Sequence, residues 1–429
     1  MAKSYTYIFF LGIFLILTFR IFEFFPGMQL SREIWIVCGL LYVAVPYFLL
    51  KLINGLRISL FESYVVTLII FTPLLGAITA NAQFGQPIVY GLLGSRGVFL
   101  YVAALALYYY FQRDDITHFY IEKALIYLAW GTLALYCGIY LVFDPAVYLD
   151  QYPDFVSDGM ADGDEFRFKT IPIVFGFFYY VFRGFRYRSG VDYCCSLIFL
   201  TYLVGVSGGR SLFVTVLIAF VFFIFRWGSF NRLIRLLPQS LFVLGLLLIM
   251  LTVFQGDFVT NFIDKLGDSF SVVITGKASG DSSADARISE FLLALPLILD
   301  NWLLGNGVVS NQWNGGYEGV LGGYFYPSDL GLIGAIFNYG VLGVIVFAYQ
   351  FVFGVKFSKI LDMSGLRSPL IDALKVMLLY IALHSVFTGM FVYRPEISLA
   401  FIGVLGGISL GARNRGYVRD RTFTNKRES

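Results

Sequence analysis

Long uninterrupted apolar runs dominate this chain, and they decide most of what it can become. They fall near residues 5–22, 34–50, 60–79, 98–111, 121–143, 171–182, 191–206, 212–225, 236–254, 330–355, 371–392 and 397–411. A helix needs about 20 apolar residues to cross a bilayer. The runs therefore predict an all-α, polytopic integral membrane protein with about 12 transmembrane helices. An outer-membrane barrel is excluded, because its strands alternate polar and apolar residues over about ten positions. Apolar residues make up 58% of the 429 and charged ones only 14%. A soluble domain carries roughly 25% charge, so that class is excluded too. The stretch from Met1 to Phe25 lacks a small-residue cleavage site and reads as a retained first span. The four cysteines (Cys38, Cys137, Cys194, Cys195) sit in apolar runs without metal-type spacing, so neither a disulfide framework nor a zinc site is expected.

Basic residues set the orientation, because cytoplasmic connections are enriched in Lys and Arg. With both termini inside, each inner connection carries at least two, and the basic tail at 412–429 carries six. The outer side holds only Arg32, Arg96, Arg167, Lys169, Arg210, Lys265, Lys277, Arg287 and Arg394. A single polytopic domain over 1–429 is expected, with both termini on the cytoplasmic side. Its two long segments both face outward: an acidic loop at 144–169 and a large loop at 255–329 before the tenth span. Connections beyond about 12–15 residues are usually functional or disordered. Within the large loop, residues 285–304 have a helical pattern with an interior Pro296, suited to lying on the membrane or dipping into it. Residues 306–329 are rich in Gly, Asn, Trp and Tyr, a composition suited to sugar contact. Function is expected on the outer face.

The outer arginines are the most informative charges. Arg210 lies in Val206-Ser207-Gly208-Gly209-Arg210-Ser211, Arg167 and Arg96 precede spans, Arg287 opens the helical stretch, and Arg394 caps a span end. Singly, each could anchor at the interface, or pair as Arg394 with Glu396 or Arg287 with Glu290 one turn on. Converging, their guanidinium forks would match phosphate oxygens bidentately. A lipid-linked diphosphate is the expected anion, with Arg210 and Arg287 ranked first. His384 lies within a span and is open between a functional group and a hydrogen-bonded structural one. The acidic run Asp158–Glu165 lacks the register of a calcium loop and reads as solvated. Gly205/Gly209 and Gly403/Gly407 read as close helix packing.

Four stretches resemble the O-antigen polymerase and ligase family of bacterial envelope polysaccharide enzymes. Ser207-Gly208-Gly209-Arg210-Ser211 resembles its S-x-x-R signature. Arg287 followed by Leu303-Leu304-Gly305-Asn306-Gly307 resembles its "R…LLGxG" segment. Ser328-Asp329-Leu330-Gly331, continuing to Tyr339-Gly340-Val341-Leu342-Gly343, resembles the segment ending in "xGxxG". Arg167 ahead of a span is the fourth. Ligases of the family usually place a His-Asn pair where Ser328 and Asp329 stand, so the likeness favours the polymerase branch. The resemblance implies a GT-C-like fold, polyprenyl-diphosphate-linked oligosaccharides and membrane lipid as partners, no cofactor, no metal and no nucleic acid. A chain-length regulator is a candidate partner. The implied reaction moves a growing glycan from its polyprenyl diphosphate onto a second lipid-linked repeat unit.

For that reaction, Arg210, Arg287, Arg167, Arg96 and Arg394 would stabilise the departing diphosphate. A carboxylate would take the acceptor proton, Asp329 first, with Glu290 and Asp300 behind it. The competing reading of Asp329, as the N-cap of the tenth span, is slightly favoured over the base. Tyr324, Tyr326, Trp313 and Asn314 would hold sugar rings, or belong to an interfacial aromatic belt. The competing readings are an O-antigen ligase acting on lipid A-core and a non-enzymatic flippase or transporter of lipid-linked oligosaccharide.

Overall fold

The computed structural model describes residues 2–21, 58–112, 118–143, 161–162, 165–166, 168–205, 210–227 and 282–414, with isolated positions between 30 and 55. Among these the architecture is helical, apart from one antiparallel pair of two-residue strands, Ala161–Asp162 with Glu165–Phe166. Five of the described helices are long and apolar enough to cross a membrane: Leu60–Phe84, Phe119–Val142, Leu332–Ser364, Pro369–Thr388 and Pro395–Ala412. A sixth is added if Ile88–Gly94 and Arg96–Tyr110, which meet at 42°, count as one broken span. The chain is a multi-pass, membrane-associated protein.

This count overturns the expectation of a GT-C-like body of about twelve spans with its loop before a tenth. Among the described residues, three of the predicted runs lie in shorter helices, Ala2–Thr18, Gly190–Gly205 and Arg210–Trp227, of 17, 16 and 18 residues. At 1.5 Å per residue their described lengths are about 24–27 Å, short of a hydrocarbon core of about 30 Å. The run at 171–182 lies in the Ile171–Tyr187 helix, which has 17 residues and carries Arg183 and Arg186 near its end. Its residues from Ile171 to Phe182 are all buried, packed by the Gly190–Gly205 and Pro369–Thr388 helices. Their apolarity answers to protein, not to lipid. A continuous apolar run cannot by itself separate a buried helix from a lipid-crossing one. The run at 236–254, nearly all of 34–50, most of the acidic loop at 144–169, the large loop up to 281, Gly209 and the tail from 415 lie outside the described residues.

Local signals start and stop these helices. Ser59 and Glu62 form a reciprocal capping box at the head of Leu60–Phe84, and left-handed Gly85 ends it. Ser368 caps the Pro369–Thr388 helix, with proline in its first turn and Gly389 (φ 58°) at its end. The Pro395–Asn414 helix packs on Val102–Tyr110 and on Gln350–Ser364. Gly403 and Gly407 face the Ala104 and Tyr108 backbones, a close approach that a side chain at either would prevent.

Among the described residues, three lysines and arginines in the bundle each pair with a carboxylate. Arg20 Nε lies 3.0 Å from Glu396, which is 1% exposed; Lys375 Nζ lies 2.6 Å from Asp362; and Lys51 reaches Glu62 at 2.5 Å. Pairing relieves the penalty of burying each charge. The Arg20–Glu396 bridge fastens the end of the first helix to the start of the last.

A break in the Leu332–Ala348 helix organises the other end of the bundle. Gly340 interrupts it with φ 64° and ψ 180°, leaving carbonyls orphaned on one side and amides on the other. The Leu303–Gly307 segment and Trp302 before it supply both sets of partners. The N–H groups of Asn306 and Gly307 donate to Phe337 O and Asn338 O at 2.7 and 2.9 Å. The carbonyls of Trp302 and Leu303 accept from Val341 N and Leu342 N at 2.9 and 3.1 Å. A Cβ at Gly340 would strike the Leu303 carbonyl, and one at Gly305 would lie 2.5 Å from Gly340 N. The two glycine motifs are thus two halves of one joint.

Candidate functional site

The joint places the Ser282–Asp300 helix against the turn that opens the Leu332–Ala348 helix. One face of that helix, carrying Glu290 and Ala294, is turned inward, and both residues are buried. Across from it, Pro327–Leu330 forms a 3-10 turn that contacts the Ser282–Asp300, Leu332–Ala348 and Pro369–Thr388 helices. Three candidate residues come together here: Arg287, Glu290 and Asp329.

Glu290 is the pivot. Its Oε1 accepts the Tyr326 backbone N–H at 3.0 Å. Its Oε2 is buried without a hydrogen-bond partner in the protein. A buried carboxylate oxygen left unpaired is costly, so such an atom marks a place where water or a ligand belongs. Burial pushes the Glu290 carboxyl above the usual carboxylate range, and the Asp329 charge pushes the same way. The Tyr326 N–H and the Arg287 guanidinium oppose the rise.

Asp329 itself is exposed, with Ser328 Oγ 3.4 Å from its Oδ1. The N-cap position of the following helix is Gly331, with no side-chain cap. Arg287 is exposed, close enough to influence Glu290 electrostatically. Asp300 closes the same helix ten residues after Glu290, about 15 Å along its axis, and does not share the site.

Arg96 Nε pairs with Glu33 at 2.8 Å on the exposed surface. Arg394 is half-buried between the Met390–Tyr393 turn and the Pro395–Asn414 helix. Its neighbour Tyr393 holds a buried hydroxyl that feels the Asp329 charge; burial is the main cause that raises this phenol well above its ordinary value. Arg210 is the first residue of the Arg210–Trp227 helix, and only its backbone is described; Arg167 lies outside the described residues. Tyr324 and Tyr326 are exposed, their rings 5.0 Å apart, on the strip that supplies the Glu290 hydrogen bond. Trp313 packs into a small core with Tyr317, Phe325 and Phe337, and Asn314 adopts a left-handed turn (φ 49°).

His384 is engaged inside the bundle. It is buried in the Pro369–Thr388 helix, its Nδ1 is 3.2 Å from Thr215 Oγ1, and it stacks on Tyr380 at 5.2 Å. The same contact sets the opening turns of the Arg210–Trp227 helix alongside the end of Pro369–Thr388.

Sequence reasoning missed the amide network that holds the site's floor. Asn306 is fully buried and donates to Leu297 O and Phe337 O. Gln86 accepts from Ser310 N at 2.7 Å and donates to Val308 O at 3.1 Å. Tyr317 Oη accepts from Val309 N and sits 2.7 Å from Asn338 Oδ1. The signal available was amides recurring among glycines at 301–314. Their partners carried none, and Gln86 is remote from them along the chain.

No protein-family model matches this chain, and no curated protein or solved structure matches it either.

Proposed function

We propose that this protein is a membrane glycosyltransferase that polymerises lipid-linked oligosaccharide, moving a glycan from polyprenyl diphosphate onto the hydroxyl of a second lipid-linked unit. The observation that carries this reading is the Glu290 carboxylate: buried, with one oxygen held by a backbone amide and the other unpaired, beside a second carboxylate and an arginine. In the proposed step the acceptor oxygen attacks the anomeric carbon while the bond from that carbon to the diphosphate oxygen breaks. The diphosphate leaves with the bonding electrons, and the acceptor proton passes to Glu290. Arg287 offsets the charge that grows on the leaving group, and the negative charge of Asp329 keeps Glu290 basic. Tyr324 and Tyr326 offer exposed ring faces to the sugars.

The family resemblance of the Arg287…Leu303–Gly307 and Ser328–Gly343 stretches supports the same chemistry. Among the described residues, the pairing of Arg20, Lys51 and Lys375 with carboxylates argues against a transport path, which needs polar groups available within the spans. The proposed location is the bacterial inner membrane with both termini cytoplasmic. The last helix starts two residues after Tyr393, whose hydroxyl feels the Asp329 charge, and runs toward the basic tail; Glu396 in its first turn pairs with Arg20, two residues past the end of the first helix. The positive-inside rule then puts the tail in the cytoplasm and the site on the opposite face.

Arg287→Ala tests the reading. In purified protein reconstituted with lipid-linked oligosaccharide, transfer should fall about 10²- to 10³-fold, the usual effect of losing one transition-state donor, with Arg287→Lys intermediate. Unchanged turnover in Arg287→Ala would remove the arginine from the mechanism.

A further inference from the structure

We infer that the hairpin formed by the Ser282–Asp300 helix and the Trp302–Gly307 segment is inserted into the membrane, its outward face covered by lipid acyl chains. This rests on surface chemistry and packing and is independent of the transfer reaction.

The helix is inside out for a water-facing element. Its inward face holds a carboxylate, Glu290, at 1% exposure, while its outward face shows Leu292 at 62% and Leu299 at 66%, with Leu293 exposed between them. Trp302, Leu303 and Leu304 continue the apolar surface, each about half exposed. So many large apolar side chains in one short stretch form a patch that a soluble surface does not sustain. The polar part of the helix, Ser282 to Glu290, comes first, and the apolar part follows. That division suits an element whose one end stays at the headgroups while the rest enters the acyl region. Asp300, exposed beside the Asn301–Gln83 amide pair, marks the polar edge of the face.

The loop's backbone points the same way. Irregular backbone survives at membrane level only where its polar groups are satisfied by protein. Here Gly305 N donates to Asn301 O, Val308 N donates to Gly76 O, and four further backbone bonds join the segment to Phe337, Asn338, Val341 and Leu342.

Position decides the occupant. The hairpin docks on two helices that are themselves long and apolar enough to cross a membrane: at Gly76 of Leu60–Phe84, and at Gly340 of Leu332–Ser364. Those helices expose Leu74, Ile78, Leu342 and Ile345 close to the docking points. The hairpin's apolar face continues their lipid-facing surface, so hydrocarbon chains are the covering partner.

Fluorescence tests this on the whole protein in vesicles of phosphatidylcholine brominated at mid-chain. The emission that Trp302→Phe removes should be mostly quenched by bromolipid in the parent protein and little affected by aqueous iodide. Leu299→Trp, which adds a reporter instead of removing one, should add emission quenched in the same way. Emission from Trp302, or emission added by Leu299→Trp, that iodide quenches and bromolipid leaves untouched would overturn the inference. So would equal iodide access at these positions and in Asn311→Trp, placed on the exposed loop beyond the hairpin.

Discussion

Glu290→Gln should lower glycan transfer about 10²- to 10⁴-fold, the range expected when a general base is removed. The protein should still fold, because the glutamine carbonyl oxygen can accept the Tyr326 N–H that now binds Oε1. The pH profile distinguishes a base from a structural carboxylate. Glu290 must be ionised to accept a proton, and burial raises its pKa, with Asp329 adding to the rise. Activity of the parent protein should therefore rise with pH through a limb displaced above the ordinary carboxylate range. Asp329→Asn removes a like charge and should move that limb to lower pH. The same shift has a stability sign. A carboxyl whose folded pKa is raised contributes stability below its unfolded pKa and loses it as pH rises through the folded one. The fold should thus weaken slightly across the pH range where catalysis switches on, a tension that Glu290→Gln relieves. A Glu290→Gln protein with parent-like turnover and an unchanged acidic limb would assign Glu290 to structure alone.

Gly340→Ala should be strongly destabilising. The residue sits at φ 64°, where a side chain costs about 1–3 kcal/mol in backbone strain, and the new Cβ would strike the Leu303 carbonyl. Relief requires the Trp302–Gly307 segment to withdraw, which would forfeit its bonds to Phe337, Asn338, Val341 and Leu342. The total should reach about 3–5 kcal/mol, at the high end for single substitutions. Thermal unfolding in detergent should show a large drop in midpoint, with transfer lost because Glu290 depends on the same joint. Gly343→Ala, three residues on and facing the Tyr339 side chain instead of another backbone, should be milder. Equal midpoints for Gly340→Ala and the parent would show that the joint does not hold the fold.

The helical architecture was legible because apolar runs punctuated by Gly, Pro and Ser are strong local signals; Ser59, Ser368 and Gly389 fall where capping rules put them. The number of crossings was not legible. The Ile171–Tyr187 helix is as apolar as a span yet too short for one, and its apolarity serves burial between neighbouring helices. Periodicity cannot distinguish the two environments. Within the site, the spacing of Arg287 and Glu290 showed that both lie on one helix a turn apart. That Asp329, far along the chain and on another element, would close on them depended on the joint at Gly340, a long-range pairing without a local signature. The pairing of Arg20 with Glu396 was hidden for the same reason, because the two lie near opposite ends of the chain. His384 stood out as an ionisable group within an apolar run, whereas its contact with Thr215, remote along the chain, had no local signal.

Whether the Glu290 site joins lipid-linked glycans is answered by giving purified protein in liposomes a single substrate, oligosaccharide on polyprenyl diphosphate, and resolving the products by size. The expected product is a ladder of longer lipid-linked glycans, with one polyprenyl diphosphate released for every bond formed. Substrate that crosses the bilayer or stays bound with its length unchanged, and no free diphosphate, would contradict the assignment.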